Sequence, residues 1–211
     1  LIVLDGVYDA MCTRLREATQ SVVIGPADEP ATMVGPVIDD EARVRIRRYL
    51  ELGRREGRVL VEADLPPECG EGYFVAPTVF TDVAPDARIA QEEVFGPLLA
   101  VIRARDFEHA LEIANGTRYA LTGGLFSRSP AHIDRARREF AVGNLYINRK
   151  VTGSQVDAQP FGGFKLSGTG VKAGSPDYLL HFMDARCITE NTLRSGFVPN
   201  EVRREDHTEV S

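Results

Sequence analysis

Stretches with the apolar repeat of a helix alternate along this chain with short runs rich in Val, Ile and Leu, and that alternation constrains the fold more than any other feature. In DGVYDAMCTRLREATQSV the apolar residues Tyr8, Met11, Leu15, Ala18 and Val22 recur at helical spacing, which predicts an amphipathic helix capped by Asp5. A loop rich in proline and glycine, VIGPADEPATMVGPVIDD, leads to a second helix, capped by Asp39 or Asp40, with Ala42, Ile46, Tyr49 and Leu50 turned inward. RVLVEA reads as a short buried strand and LLAVIRA as a stronger one. Between them GYFVAPTVFTDV is extended but broken by Pro77, which suits an edge or a bend because proline gives no N–H to a ladder. Asp106 caps FEHALEIANG, which carries Phe107, Ala110, Leu111 and Ala114 on one face and ends at Gly116. GGLFS follows as a strand, Ser129 and Pro130 open the helix PAHIDRARREF, and GNLYIN is the next strand. Strands alternating with helices of about ten residues imply βαβ units, and therefore an α/β domain on a mainly parallel sheet covered by helices.

In such folds ligands collect beyond the carboxyl ends of parallel strands, here after VIRA, LFS and LYIN. The stretch after LYIN, VTGSQVDAQPFGGFKLSGTG, holds five glycines in twenty residues together with Phe161, Phe164 and Lys165. Gly168, Gly170 and Ala173 satisfy the dinucleotide fingerprint Gly-x-Gly-x-x-Gly/Ala, with Glu190 further on. That reading needs a strand before the glycines and a helix after them. Pro160, Gly162 and Gly163 interrupt the first, and Gly174 and Pro176 break the second. Glycines that bring backbone close to an anion or a narrow tunnel fit better, with Phe161 and Phe164 as walls.

At 43% hydrophobic and 27% charged, the 211 residues have the make-up of a globular protein with a sizeable core. The 31 acidic and 25 basic residues leave a net charge of −6, and the arginine clusters at 43–48 and 135–138 lie inside helical patterns. Solvated helix faces account for them, so no nucleic-acid partner is expected. Cys12, Cys69 and Cys187 are odd in number and far apart, which argues against disulfides or a zinc site and for a reducing, cytoplasmic setting. The four histidines are too scattered for a metal motif, so no metal is expected, and no apolar run reaches the length of a membrane span.

The segments QEEVFGPLLAV, ANGTRYALTGGLFS, GNLYINR and QPFGGFKLSGTG stand in the order and spacing of the catalytic domain of NAD(P)-dependent aldehyde dehydrogenases, a resemblance that covers about residues 1–192 together with GPVID and GYFVAPTVF. Within that family the stretch NRKVTGSQVDAQPFGGFKLSGTGVKAGSPDYL is similar to the 1-pyrroline-5-carboxylate dehydrogenases, which oxidise glutamate semialdehyde to glutamate in proline breakdown. The resemblance implies that Gly153 and Ser154 anchor the substrate's backbone carboxylate and that Phe161 lines its site. Two N–H groups and a hydroxyl converging on a carboxylate are worth about 1.5–3 kcal/mol per bond, the usual scale for hydrogen bonds to charge. The same resemblance assigns Glu93 to the nicotinamide ribose hydroxyls and Phe95 to the nicotinamide, with NAD favoured and NADP not excluded. Without it, Glu92 and Glu93 read as a solvated pair and Phe95 as core. Lys165 is expected to shape the glycine-rich loop.

The family's chemistry needs a cysteine thiolate, a glutamate that activates water and a dinucleotide-binding domain. By the resemblance all three lie upstream of Leu1, so no residue of this chain is assigned a catalytic part. Cys12, on an amphipathic helix beside Met11 and Leu15, reads as structural. The expected organisation is a catalytic-domain portion over residues 1–180, an oligomerisation strand over 181–193 and a polar tail over 194–211. The partners expected are a small aldehyde, an amino-terminal half of the same enzyme and further copies in a homo-oligomer, the chain alone being inactive. Two other readings stand beside this one: a dehydrogenase of a different aldehyde, and an assembly module pairing through its terminal strand.

Overall fold

Asp5–Gln20 (α1) starts directly at the end of a three-residue strand, Ile2–Leu4 (β1), too short to show a period in the sequence. The N-cap is Leu4 rather than Asp5; Asp5 is the first helical residue, where its carboxylate accepts from Arg103 Nη1. The buried face of α1 is Tyr8, Cys12 and Thr19, with Met11 and Leu15 at its margin, so the stripe is rotated from the expected one and Ala18 is exposed. Asp40–Glu56 (α2) is capped by Asp39, whose Oδ1 accepts from Ala42 N at 2.7 Å, while Asp40 pairs with Arg43.

A three-stranded sheet lies between these helices: Arg58–Glu62 (β2), Thr78–Thr81 (β3) and Leu98–Ala100 (β4), in that order. β3 is antiparallel to β2 and parallel to β4, and all four of its residues are buried. It is the central strand and not the edge that Pro77 suggested. The proline falls one residue before the ladder, where its carbonyl still accepts from Ala63 N. Alternate side chains go to opposite faces. Phe80 and Ile102 join Ile46 and Leu50 of α2 in one cluster, while Val79 and Val101 join Tyr8 and Cys12 of α1 in another. Helices therefore cover both faces, as a sheet with parallel strands requires.

The expected strand LLAVIRA divides at Val101: β4 pairs with β3, and Ile102–Ala104 (β5) pairs in parallel with β1. A single turn of helix, Arg88–Gln91 (α3), precedes β4. Phe107–Asn115 (α4) is capped by Asp106 and stops at Gly116 as expected, and Ile113 is buried beside Leu111. Tyr119–Ala120 (β6) and Thr122–Leu125 (β7) lead to Pro130–Glu139 (α5), whose N-cap Ser129 accepts from His132 N. Asn144–Ile147 (β8) lies parallel to β7, and Phe164–Lys165 (β9) is antiparallel to β6.

The computed structural model describes residues 1–70, 72–155 and 158–191. All elements above belong to one compact unit, Leu1–Ser175. A second unit begins at Pro176 with a 3-10 helix, Pro176–Phe182, in which the rings of Tyr178 and Phe182 meet edge to face at 5.3 Å. Residues 183–191 are exposed and form neither helix nor strand within the chain, and the expected tail over 194–211 lies outside the described residues. No helix among the described residues is long and apolar enough to cross a membrane.

Candidate functional site

The parallel pair β7 and β8 delivers the chain to the site. Asn148, just past β8, takes φ +55°, a left-handed conformation that asparagine tolerates. Its side chain accepts from Ser127 N and donates to Ser127 O, both at 2.9 Å, and so fastens the carboxyl ends of the two strands together. The chain then bends at Gly153, φ +77°, into Ser154. The Ser154 hydroxyl donates to Gln159 O at 2.9 Å, and Gln155 N donates to Gln159 Oε1, so the bend is closed by its own return strand. The amides of Gly153 and Ser154 have no acceptor among the described residues.

Gly153, Ser154 and Phe161 come together on the wall of one cleft of about 560 Å³, with Tyr146 and Leu121 also lining it. Phe161 is held there by a two-bond bridge to Ala173, at 3.0 and 2.9 Å. The ring of Tyr146 lies under the Arg149 guanidinium, 5.0 Å from the centroid, and its buried hydroxyl has no hydrogen-bond partner among the described residues. Leu121 and Thr122 also line a second cleft of about 650 Å³, and Glu93 lies on that one with Glu92. The expected substrate residues and Glu93 thus lie on either side of Leu121 and Thr122. Phe95 lines neither cleft: it is 73% exposed, with φ +53°, and is not the core residue its composition suggested.

Glu92 is not the solvated partner of Glu93 that its sequence context suggested. It accepts two hydrogen bonds from Arg88 at 3.0 Å and one from the Tyr49 hydroxyl at 2.6 Å. The guanidinium, with the tyrosine hydroxyl second, lowers the Glu92 carboxyl to about 2, and the same bond raises Tyr49. The Glu93 carboxylate makes no ion pair or hydrogen bond with a described residue, leaving an acceptor-only group open to the cleft.

The glycine-rich strap beyond Phe161 holds backbone, not phosphate. A Cβ on Gly143 would stand 2.1 Å from Gly162 O, and one on Gly162 would stand 2.0 Å from Val171 O. Three chain segments therefore stack at a distance only glycine permits. Asn144 donates to Pro160 O and accepts from Gly162 N, and Lys172 Nζ donates to the carbonyls of Gly143 and Gly162. Burial lowers the Lys172 pKa. Lys165 reaches away from the strap and donates to Asn115 O and Thr117 O at the end of α4. No helix follows Gly168 and Gly170 before the 3-10 turn at Pro176, which removes the dinucleotide fingerprint. Asn144, Asn148 and Lys172 gave no sequence signal, because each acts on backbone groups brought near by the fold.

Cys12 and Cys69 are buried, and burial raises both thiols, with Asp9 adding to Cys12 and Glu68 to Cys69. That is the reverse of an activated nucleophile.

Residues 1–188 match the model of the aldehyde dehydrogenase family. The chain is 50% identical over 189 residues to the 1-pyrroline-5-carboxylate dehydrogenase of Geobacillus kaustophilus, covering 90% of this chain and 36% of that protein. It is 46% identical to the Bacillus subtilis enzyme of that name over the same shares. Among solved structures, proline utilization A from Bdellovibrio bacteriovorus superposes with a TM-score of 0.86 at 52% identity, over 94% of this chain and 20% of that one. The 1-pyrroline-5-carboxylate dehydrogenase from Thermus with bound NAD gives 0.82 at 51%, over 87% and 35%. The chain thus spans about a third of the length of the curated relatives it matches. With the parallel β7 and β8 pair, the closed bend after it and this match along nearly the whole described chain, the protein belongs to the aldehyde dehydrogenase family.

Proposed function

We propose that this chain forms the substrate-anchoring and nicotinamide-facing part of an enzyme that oxidises L-glutamate 5-semialdehyde to glutamate in proline catabolism, with NAD as the oxidant. The observation that carries this reading is the bend at Gly153 and Ser154, which lines a cleft and presents two backbone amides that have no acceptor among the described residues. Amides of successive residues around a left-handed glycine form a concavity suited to a carboxylate. The Ser154 hydroxyl proton is already engaged by Gln159 O, so the side chain acts by setting the bend while the amides meet the acid.

NAD fits the neighbouring cleft, because Glu93, which pairs with no described residue, offers an acceptor to ribose hydroxyls. When bound, NAD takes the hydride from the aldehyde carbon. The thiolate and the water-activating glutamate come from a part of the enzyme outside this chain, consistent with the raised thiols of Cys12 and Cys69. The reading includes a cytoplasmic location, supported by three cysteines that are all free. It also includes a homo-oligomer joined through residues 181–193.

The test is Ser154→Ala in the complete enzyme, assayed by NADH formation. Loosening one charge-assisted contact raises KM for glutamate semialdehyde about tenfold, while KM for a neutral aldehyde of similar length stays within about twofold. Equal shifts for the two substrates would remove the anchor and point to a different aldehyde. The 211-residue chain alone forms no NADH.

A further inference from the structure

α3 is a single helical turn, too short to hold its own orientation, and the residue two places past it is Glu93. Two side chains of α2 grip it at both ends. Glu56 Oε2 accepts from Ile89 N at 3.0 Å at its start, and the Tyr49 hydroxyl donates to Glu92 Oε2 at 2.6 Å at its end. Tyr49 and Glu56 are seven residues apart, two turns of α2, and so lie on one face. Arg88, from the first position of α3, closes the arrangement by holding both oxygens of Glu92 at 3.0 Å. Glu92 thus takes the bonds from α2 and α3, while Glu93, which pairs with no described residue, lies on the 650 Å³ cleft.

We infer that Tyr49, Arg88 and Glu92 are positioning residues for the cofactor: the clamp from α2 fixes the turn of α3 and thereby aims the Glu93 carboxylate. This deepens the proposed NAD reading and rests on it. Tyr49 and Arg88 touch Glu92 and not the cofactor, so their effect passes through Glu93.

The experiment is a double-mutant cycle in the complete enzyme, read by fluorescence titration of NADH together with KM for the aldehyde and thermal midpoint. Tyr49→Phe removes one hydroxyl and keeps the ring. It should weaken NADH binding about three- to tenfold, the range set by one hydrogen bond, with aldehyde KM unchanged. Glu92→Gln should do the same. In a Glu93→Gln background, Tyr49→Phe should have no further effect on NADH affinity. Unchanged NADH affinity in Tyr49→Phe and Glu92→Gln overturns the inference, even where the thermal midpoint falls, and so does a Tyr49→Phe effect that adds in full to that of Glu93→Gln. If Glu93→Gln itself binds NADH as tightly as the parent, the cofactor reading of that residue fails, and the inference falls with it.

Discussion

Gly162 and Gly153 are both glycines near the site, yet their surroundings predict different costs of substitution. At Gly162 a methyl would stand 2.0 Å from Val171 O, a backbone atom already fixed by the bridge between Phe161 and Ala173. No flexible side chain can move aside. Gly162→Ala in the complete enzyme is expected to lower stability by about 3 kcal/mol, the upper range for overpacking, seen as a fall in the urea midpoint. At Gly153 the nearest atom to an added methyl is Lys150 Cε at 3.9 Å, so only the left-handed φ of +77° opposes alanine. Gly153→Ala should therefore cost about 1–2 kcal/mol, and act more on substrate KM than on folding. A larger loss at Gly153 than at Gly162 would show that the strap is looser than its spacing implies. Lys172 belongs to the same strap: its ammonium, bonded to Gly143 O and Gly162 O and packed 4.9 Å from the Phe164 centroid, joins two segments that glycine has let close together.

The start of α2, to within one residue, and its inward face were legible in the sequence, and the reason is physical. Seventeen residues give the apolar repeat several turns to declare itself, and Asp39 is one of the few residue types that can cap it. Asp39→Ala removes the acceptor for Ala42 N and is expected to cost about 1 kcal/mol, with no change in either KM; a null result in urea unfolding would deny the cap its part. α4 and α5 were readable on the same grounds, each with its cap residue in place. β1, α3 and β9 have three, four and two residues, too few for any period, and exist because distant partners complete them. β3 misled for another reason: Pro77 argues against a central strand only if it lies within the ladder, and it lies one residue outside. The proposed site divides in the same way. Glu93, Gly153, Ser154 and Phe161 enter it through a family resemblance, whereas Tyr49, Arg88 and Glu92 could be joined only once α2 and α3 were seen side by side.

For the whole molecule, Leu121 and Thr122 line both clefts, and in the proposed enzyme they separate the Glu93 carboxylate on one side from the bend at Gly153 and Ser154 on the other. The residues lining both clefts fall within Leu1–Ser175, and the proposed enzyme uses the segment from Pro176 onward for assembly. Its residues 183–190 are exposed and form no strand, although they include Met183 at 62% and Ile188 at 74% exposure. Exposed apolar side chains on extended backbone invite a second chain. Deleting residues 182–211 from the complete enzyme should therefore lower its mass in sedimentation equilibrium to that of a smaller assembly, while NADH affinity, assigned by the inference above to the clamp of α2 upon α3, stays within about twofold. An unchanged mass would take the assembly role from this segment, and a lost mass accompanied by lost NADH binding would mean that the cofactor cleft draws on the neighbouring subunit as well as on Glu93.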